Sequence, residues 1–149
     1  MKKRQYPDRP ICAVGAVIFD AASVLLVRRG KPPGQDQWSI PGGAVRLGET
    51  LESAVVREAL EETGLEVSPV CIGKVLERIH RDQDGAIEFH YIIVDYLCEI
   101  VAGVPVPSSD AKDLAFFALD QLNNLELAQE TAEVIREIYR LKEGRGEGR

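Results

Sequence analysis

Nine consecutive residues, Ile11–Phe19, carry no charged or amide side chain. A strand points alternate residues to opposite faces, so a run that is apolar at odd and even positions alike must be covered from both sides. That requirement demands further layers above and below one sheet. The rest of the chain supplies them. Thr50 offers an N-cap to a helix over Leu51–Thr63, with Glu52 in its first turn and Gly64 as a left-handed stop. A second helix is predicted over Gln129–Lys142, where Val134, Ile135, Ile138, Tyr139 and Leu141 recur at helical spacing. Strands are predicted over Val24–Arg29, Trp38–Ile40, Val67–Ile79, Glu88–Ile100 and Leu114–Leu119. Arg81-Asp82-Gln83-Asp84-Gly85 reads as a hairpin turn. Lys31–Asp36 and Val104–Asp113 read as loops, Asp120–Leu125 as a turn, and Pro41-Gly42-Gly43 as a chain stop. The class is α+β, without the strict alternation of a doubly wound sheet. One domain is expected over residues 11–142, with a flexible arm at 1–10 and a disordered tail at 143–149.

Charge narrows the partners. Eighteen Lys and Arg against 24 Asp and Glu leave a net charge of −6, which argues against binding a nucleic-acid backbone. With aromatic residues at only 6%, a base-stacking platform is not expected either. Cys12, Cys71 and Cys98 lie far apart in apolar runs, without CxxC spacing, and read as buried reduced thiols of a cytoplasmic protein. Lys2–Arg4 ahead of an apolar run resembles a secretion signal, but Pro7–Pro10 intervene and Asp20 ends the run early. No stretch is apolar for long enough to span a bilayer.

The chemistry concentrates on the first helix. Glu58, Glu61 and Glu62 stand at i, i+3 and i+4 and so share one face. Three carboxylates packed this way repel one another, and a divalent cation relieves the repulsion; hard oxygen ligands suit Mg²⁺, or Mn²⁺ in its place, rather than zinc. An ordinary solvated helix face would look the same in isolation. Just upstream, however, Gly42 and Gly43 let backbone approach a ligand closely. Val55, Val56, Ala59 and Leu60 cover another arc of the helix, which is expected to pack on the sheet. Arg57 stands four residues from Glu61 and can pair with it.

Gly43, five residues, Glu49, seven residues, Arg57-Glu58, two residues, Glu61-Glu62, one residue, Gly64-Leu65 resembles the Nudix box, GX₅EX₇REUXEEXGU, at every fixed position. Ala59 stands where the pattern prefers a larger aliphatic residue. Trp38–Gly43 is similar to the usual lead-in, and Leu114–Leu122 to the strand and turn that follow. The resemblance implies an α/β/α sandwich with a mixed sheet, and Mg²⁺-dependent hydrolysis of a diphosphate linked to another moiety. It implies that Glu58, Glu61, Glu62 and the Gly42 carbonyl hold the metal. It further implies that Arg57 orients a glutamate, that Glu49 supports the site or binds a second ion, and that Gly43 and Gly64 shape the box. Glu58 and Glu61 are candidates for the group that accepts the water's proton, with Asp110 or Asp113 as distant alternatives.

Substrate selection is less sharply written. Arg28 and Arg29 end a strand on opposite faces, where one can reach a phosphate. Trp38 can stack on a base or belong to the core. Arg78, His80 and Arg81 form a small basic cluster near the hairpin, and Phe89, His90 and Tyr91 alternate between core and cleft wall. The segment Leu25–Gly34 followed by Trp38–Gly43 is most similar to ADP-ribose pyrophosphatases. ADP-ribose or a related nucleoside-diphosphate sugar is therefore the expected substrate, ahead of nucleoside triphosphates, oxidised ones included, and of a non-catalytic nucleotide sensor. Dimers are common among resembling proteins, so a homodimer is an open expectation.

Overall fold

A computed structural model describes residues 3–108 and 111–147. In chain order the elements are β1 (Ile11–Asp20), β2 (Ser23–Arg29), β3 (Trp38–Ser39), β4 (Gly42–Ala44), α1 (Leu51–Thr63), β5 (Leu65–Arg81), β6 (Ile87–Gly103) and β7 (Ala111–Ala118). A 3₁₀ turn (Leu119–Asn124) and α2 (Gln129–Glu147) follow. The strands form a mixed sheet in the order β3-β2-β1-β6-β5, with β4 added to β1 and β7 to β2. Among these pairings only β1–β6 is parallel.

β1 is buried on both faces from Ala13 to Phe19. Its Val14, Ala16 and Ile18 pack with Ala54, Val55 and Ala59 of α1. Its Val17 and Phe19 pack with Ile135 and Ile138 of α2 on the other face. The sheet is thus sandwiched between two helices, as the apolar run requires. Each fully buried aliphatic side chain here contributes about 1.5–3 kcal/mol of transfer free energy.

α1 begins and ends where the sequence places it. Thr50 Oγ1 accepts the Ser53 N–H at 3.1 Å, and Gly64, at φ 77°, donates its N–H to Leu60 O. Leu60, expected to face the sheet, is 48% exposed; the buried residues are Ala54, Val55, Ala59 and Thr63.

Other expectations are corrected. Pro41-Gly42-Gly43 does not merely stop the chain: Gly42–Ala44 pairs with Ala13–Gly15. Glycine permits this approach, because a Cβ on Gly42 would lie 2.0 Å from Val14 O. The hairpin strands run longer than predicted, with Pro69 accommodated beside a bulge in the edge strand β5. The N-terminal arm is tied down, since Tyr6 N–H donates to Glu88 O at 2.7 Å and its hydroxyl to Asp82 at 2.8 Å. α2 continues to Glu147, so most of the predicted tail is helical. Once a helix is nucleated, each added residue gains a hydrogen bond, which offsets the low propensity of Gly144 and Gly146. The cysteines are not uniformly buried: Cys98 is, Cys71 is half-buried, and Cys12, near the start of β1, is exposed. No described helix is long and apolar enough to cross a membrane.

Candidate active site

α1 carries its acids toward β4 and the loop that follows it. Arg57 organises them. Its Nε and Nη2 grip the two oxygens of Glu49 at 2.7 and 2.8 Å, Nη2 also donates to Ala44 O at 3.1 Å, and Nη1 donates to Glu58 Oε1 at 2.7 Å. The expected pairing of Arg57 with Glu61 is present but longer, at 3.3 Å. Glu62 is tied to the glycine strand, accepting the Gly42 N–H at 3.1 Å. Gly43 lies directly under Glu58, where a Cβ would come within 2.6 Å of the carboxyl carbon. The side chains of Glu58 and Glu49 are only 12% and 14% exposed, whereas Glu61 is half exposed, with Arg46 at 3.6 Å.

The Arg57 bonds and the Arg46 backbone N–H hold Glu49 down at about pKa 2. A carboxyl group depressed this way lends its full stabilisation above its ordinary titration range and loses it as pH falls through about 2. Glu49 and Glu58 together draw the Arg57 guanidinium further up from its already high value. At neutral pH the Arg57–Glu49 pair at the centre of the site is therefore fully ionised.

Among the described residues, no three acidic, His or Cys side chains are gathered into a finished cation cage. The donor set nevertheless fits a hard dication: three carboxylates on one helix flank beside a glycine strand that leaves room over Gly43 for the Glu58 carboxylate. Two surface hollows along α2, one lined by Asp120, Arg136 and Arg140 and the other by Asn123, Glu133 and Arg136, contain none of these acids.

With this geometry in view, the likeness to known proteins is decisive. The NUDIX domain profile matches residues 10–138. The chain belongs to the Nudix hydrolase family. It is 34% identical over 145 residues to the ADP-ribose pyrophosphatase of Methanocaldococcus jannaschii, covering 97% of this chain and 82% of that protein. The crystal structure of a MutT Nudix hydrolase from Burkholderia pseudomallei superposes with a TM-score of 0.78 at 28% identity, covering 88% of this chain and 99% of that one. An ADP-ribose pyrophosphatase from Streptococcus suis superposes at 0.71 and 26% identity, covering 90% and 92%.

Within the Nudix box, replacing Arg57 by Lys is expected to lower kcat about 10–100-fold, the range for losing the outer partner of a metal ligand, which is the role the sequence resemblance implies for Glu58. An ammonium cannot reproduce the two-pronged grip on Glu49 while still reaching Glu58. Steady-state kinetics at saturating Mg²⁺ checks this.

Other residues singled out in the sequence have less direct places. Arg28 and Arg29 each engage the intervening loop through Nε, donating to Asp36 O and Pro33 O, which leaves only their terminal nitrogens for a phosphate. Lys112 adds an ion pair to Asp36 of that loop. Trp38 belongs to the core on the α2 side, edge-on to Phe117 at 4.7 Å. The basic cluster disperses. Arg81 Nη1 serves the hairpin turn through Gly85 O, His80 is exposed, and Arg78 Nη2 donates to Thr131 Oγ1 at 2.6 Å. Phe89 is buried, while His90 and Tyr91 are half-buried. Asp113 lies early in β7 opposite Arg28 and accepts the Leu114 N–H; Asp110 lies outside the described residues.

Two residues went unnoticed in the sequence. Arg46 donates its backbone N–H to Glu49 and faces Glu61. Asp95, the one charged residue in the stretch Tyr91–Cys98, sits on the central strand β6 and is 4% exposed. Burial pushes its carboxyl up to about 6, against the opposing pull of Arg78 and with a small addition from Glu130. An acid raised in this way favours the folded state at low pH and penalises it as pH climbs from about 4 to 6. The penalty at neutral pH is about 3 kcal/mol at 1.36 kcal/mol per unit. The Tm advantage of Asp95→Asn over wild type is thus expected to grow across that window and to level off above it, by scanning calorimetry.

Proposed function

We propose that the protein hydrolyses the diphosphate of ADP-ribose or a related nucleoside-diphosphate sugar, using Mg²⁺. What carries the reading is the Arg57-centred array of Glu49, Glu58, Glu61 and Glu62 against Gly42–Gly43. The choice of ADP-ribose is supported by the 34%-identical relative named an ADP-ribose pyrophosphatase.

Glu58, Glu61, Glu62 and the Gly42 carbonyl would hold Mg²⁺, which when bound neutralises charge on the phosphate oxygens and lowers the pKa of a coordinated water. Arg57 fixes the direction of Glu58 and is itself braced by Glu49, so the carboxylate does not have to be ordered during turnover. Glu58 or Glu61 accepts the proton of the attacking water. A new P–O bond forms to that water, the bridging P–O bond breaks, and the leaving phosphate takes the bond's electron pair. Arg28 and Arg29 shape the loop flanking the substrate and offer their terminal nitrogens to it.

Incubating purified protein with ADP-ribose and Mg²⁺ tests the reading. AMP and ribose 5-phosphate are the expected products; turnover confined to nucleoside triphosphates, with pyrophosphate released, would replace it.

A further inference from the structure

Asp36 stands in a backbone conformation that few residues other than glycine take. Its φ of 71° lies in the left-handed region. Such conformations persist where the surroundings fix them, and they cluster at ligand clamps. Here three contacts do the fixing. The Asp36 N–H donates to Arg29 O at 2.8 Å, its carbonyl accepts Arg28 Nε at 3.1 Å, and its carboxylate pairs with Lys112. Lys112 is free to reach it because β7 bulges there: Arg28 pairs with Asp113 and Arg29 with Ala111, so Lys112 is left out of the ladder. Asp113 itself accepts the Leu114 N–H. The loop that Asp36 closes holds Arg29 in turn, through Nε on Pro33 O at 2.7 Å. A guanidinium is planar, so fixing its Nε–H also fixes the plane of its terminal nitrogens.

The sheet sets this assembly across a division from the box. β1 and β2 pair only at Phe19–Val24 and Asp20–Ser23. Carried along the strands, that register brings Arg28 and Arg29 level with Gly15 and Val14 of β1. At that level β1 is paired instead with Gly42 and Gly43 of β4, while β2 has turned away to β3 and β7. The two arginines thus stand level with the two glycines, beyond the point where the sheet divides. Faces separate their roles, because successive strand residues point to opposite sides. Arg29 shares the face of Leu25, which packs in the α1 core, and Gly43 lies under Glu58 on that same side. Arg28 shares the face of Val24 and Leu26, on the α2 side. A diphosphate lying along Gly42–Gly43 under the acids of α1 therefore has Arg29 on its β2 side.

We propose that Asp36 is a positioning residue for substrate binding that acts through Arg29. Held left-handed by Arg28 and Lys112, it closes the β2–β3 loop, and the Pro33 carbonyl of that loop sets the direction of the Arg29 guanidinium toward the diphosphate. Arg28, on the other face, serves here as a brace. The ion pair with Lys112 is about half exposed on both sides and contributes little by itself, so the backbone contacts of Asp36 do most of the holding. The proposal deepens the reading of the Nudix site above and rests on it for where the diphosphate lies.

Two measurements test it: steady-state kinetics with ADP-ribose, and calorimetric titration, in Mg²⁺, of the analogue whose bridging oxygen is replaced by an uncleavable methylene. The proteins are wild type, Asp36→Val, Asp36→Asn, Arg29→Gln and the double variant combining Asp36→Val with Arg29→Gln. A β-branched residue cannot hold the left-handed φ, whereas asparagine tolerates it. Asp36→Val is expected to raise KM and weaken the analogue about tenfold, the size of one lost hydrogen bond to a charged group, with kcat unchanged. Asp36→Asn should stay within about twofold of wild type in both. The double variant should bind no more weakly than Arg29→Gln alone. If Asp36→Val does not fold, as judged by circular dichroism, Asp36→Ala gives the same reading. Equal analogue affinity in wild type and the folded variant, a kcat that falls as far as the affinity, losses that add in the double variant, or no analogue binding by wild type would overturn the proposal. The expected binding pattern in a protein that does not cleave ADP-ribose would instead overturn the hydrolytic reading and leave the role of Asp36 standing.

Discussion

Glu62→Gln is expected to lower kcat roughly 10³-fold, the upper range for removing one preorganised electrostatic contact to a developing charge. The substitution separates two roles of this side chain. A glutamine oxygen still accepts the Gly42 N–H that Glu62 holds at 3.1 Å, so the tie between α1 and β4 survives. What disappears is one of the three negative charges on the helix flank. Removing it also relieves repulsion worth a few tenths of a kcal/mol per pair, so the melting temperature should not fall. Lost turnover with unchanged or raised stability is the expected signature. A parallel loss of both would instead make Glu62 a structural strut.

The second large effect is expected from a single methyl group. In Gly43→Ala the new Cβ would sit 2.6 Å from the Glu58 carboxyl carbon and 2.7 Å from both its oxygens. The obstacle is the end of a flexible side chain, so the fold can absorb the change by swinging Glu58 aside. Doing so breaks the 2.7 Å bond from Arg57 and takes the carboxylate out of the array. Turnover is expected to fall about 10²-fold, with stability lowered by about 1 kcal/mol, the lower end of overpacking costs. Gly42→Ala should behave in the opposite way. Its Cβ would meet backbone, Val14 O at 2.0 Å, so β4 must leave β1 and the protein is destabilised by about 3 kcal/mol or more. Two adjacent glycines thus separate chemistry from folding. Kinetics and thermal melts of both variants check the contrast, and Glu58→Asp, one methylene shorter, should recover part of the Gly43→Ala loss.

The sequence was most informative where the physics is local. α1 from Leu51 to Thr63 was fully legible, because an N-cap threonine and a left-handed glycine act within one turn of the helix they bound. The double burial of β1 was legible because alternation is a property of neighbouring residues. β4 was not, since its pairing depends on how near Val14 O lies to Gly42, a distance no short window of sequence contains. The helical course of residues 143–147 was hidden by glycines whose propensity a continuing helix outweighs. In the site, spacing alone placed Glu58, Glu61 and Glu62 on one flank. It pointed Arg57 at a lesser partner: the i+4 rule selects Glu61, whereas the two-pronged grip is on Glu49, eight residues earlier. Asp95 did leave a signal, a lone carboxylate in the apolar stretch Ile92–Leu97, but its burial is visible only in the folded chain.

The central claim is that the acids of α1 are tolerated together because they bind a dication. Equilibrium dialysis with Mn²⁺, followed by electron paramagnetic resonance of the bound ion, tests it directly on wild type and on a variant with Glu58, Glu61 and Glu62 all replaced by Gln. Wild type is expected to retain Mn²⁺ and to lose it to competing Mg²⁺, while the folded triple variant retains none. Equal Mn²⁺ retention by the two proteins would contradict the account.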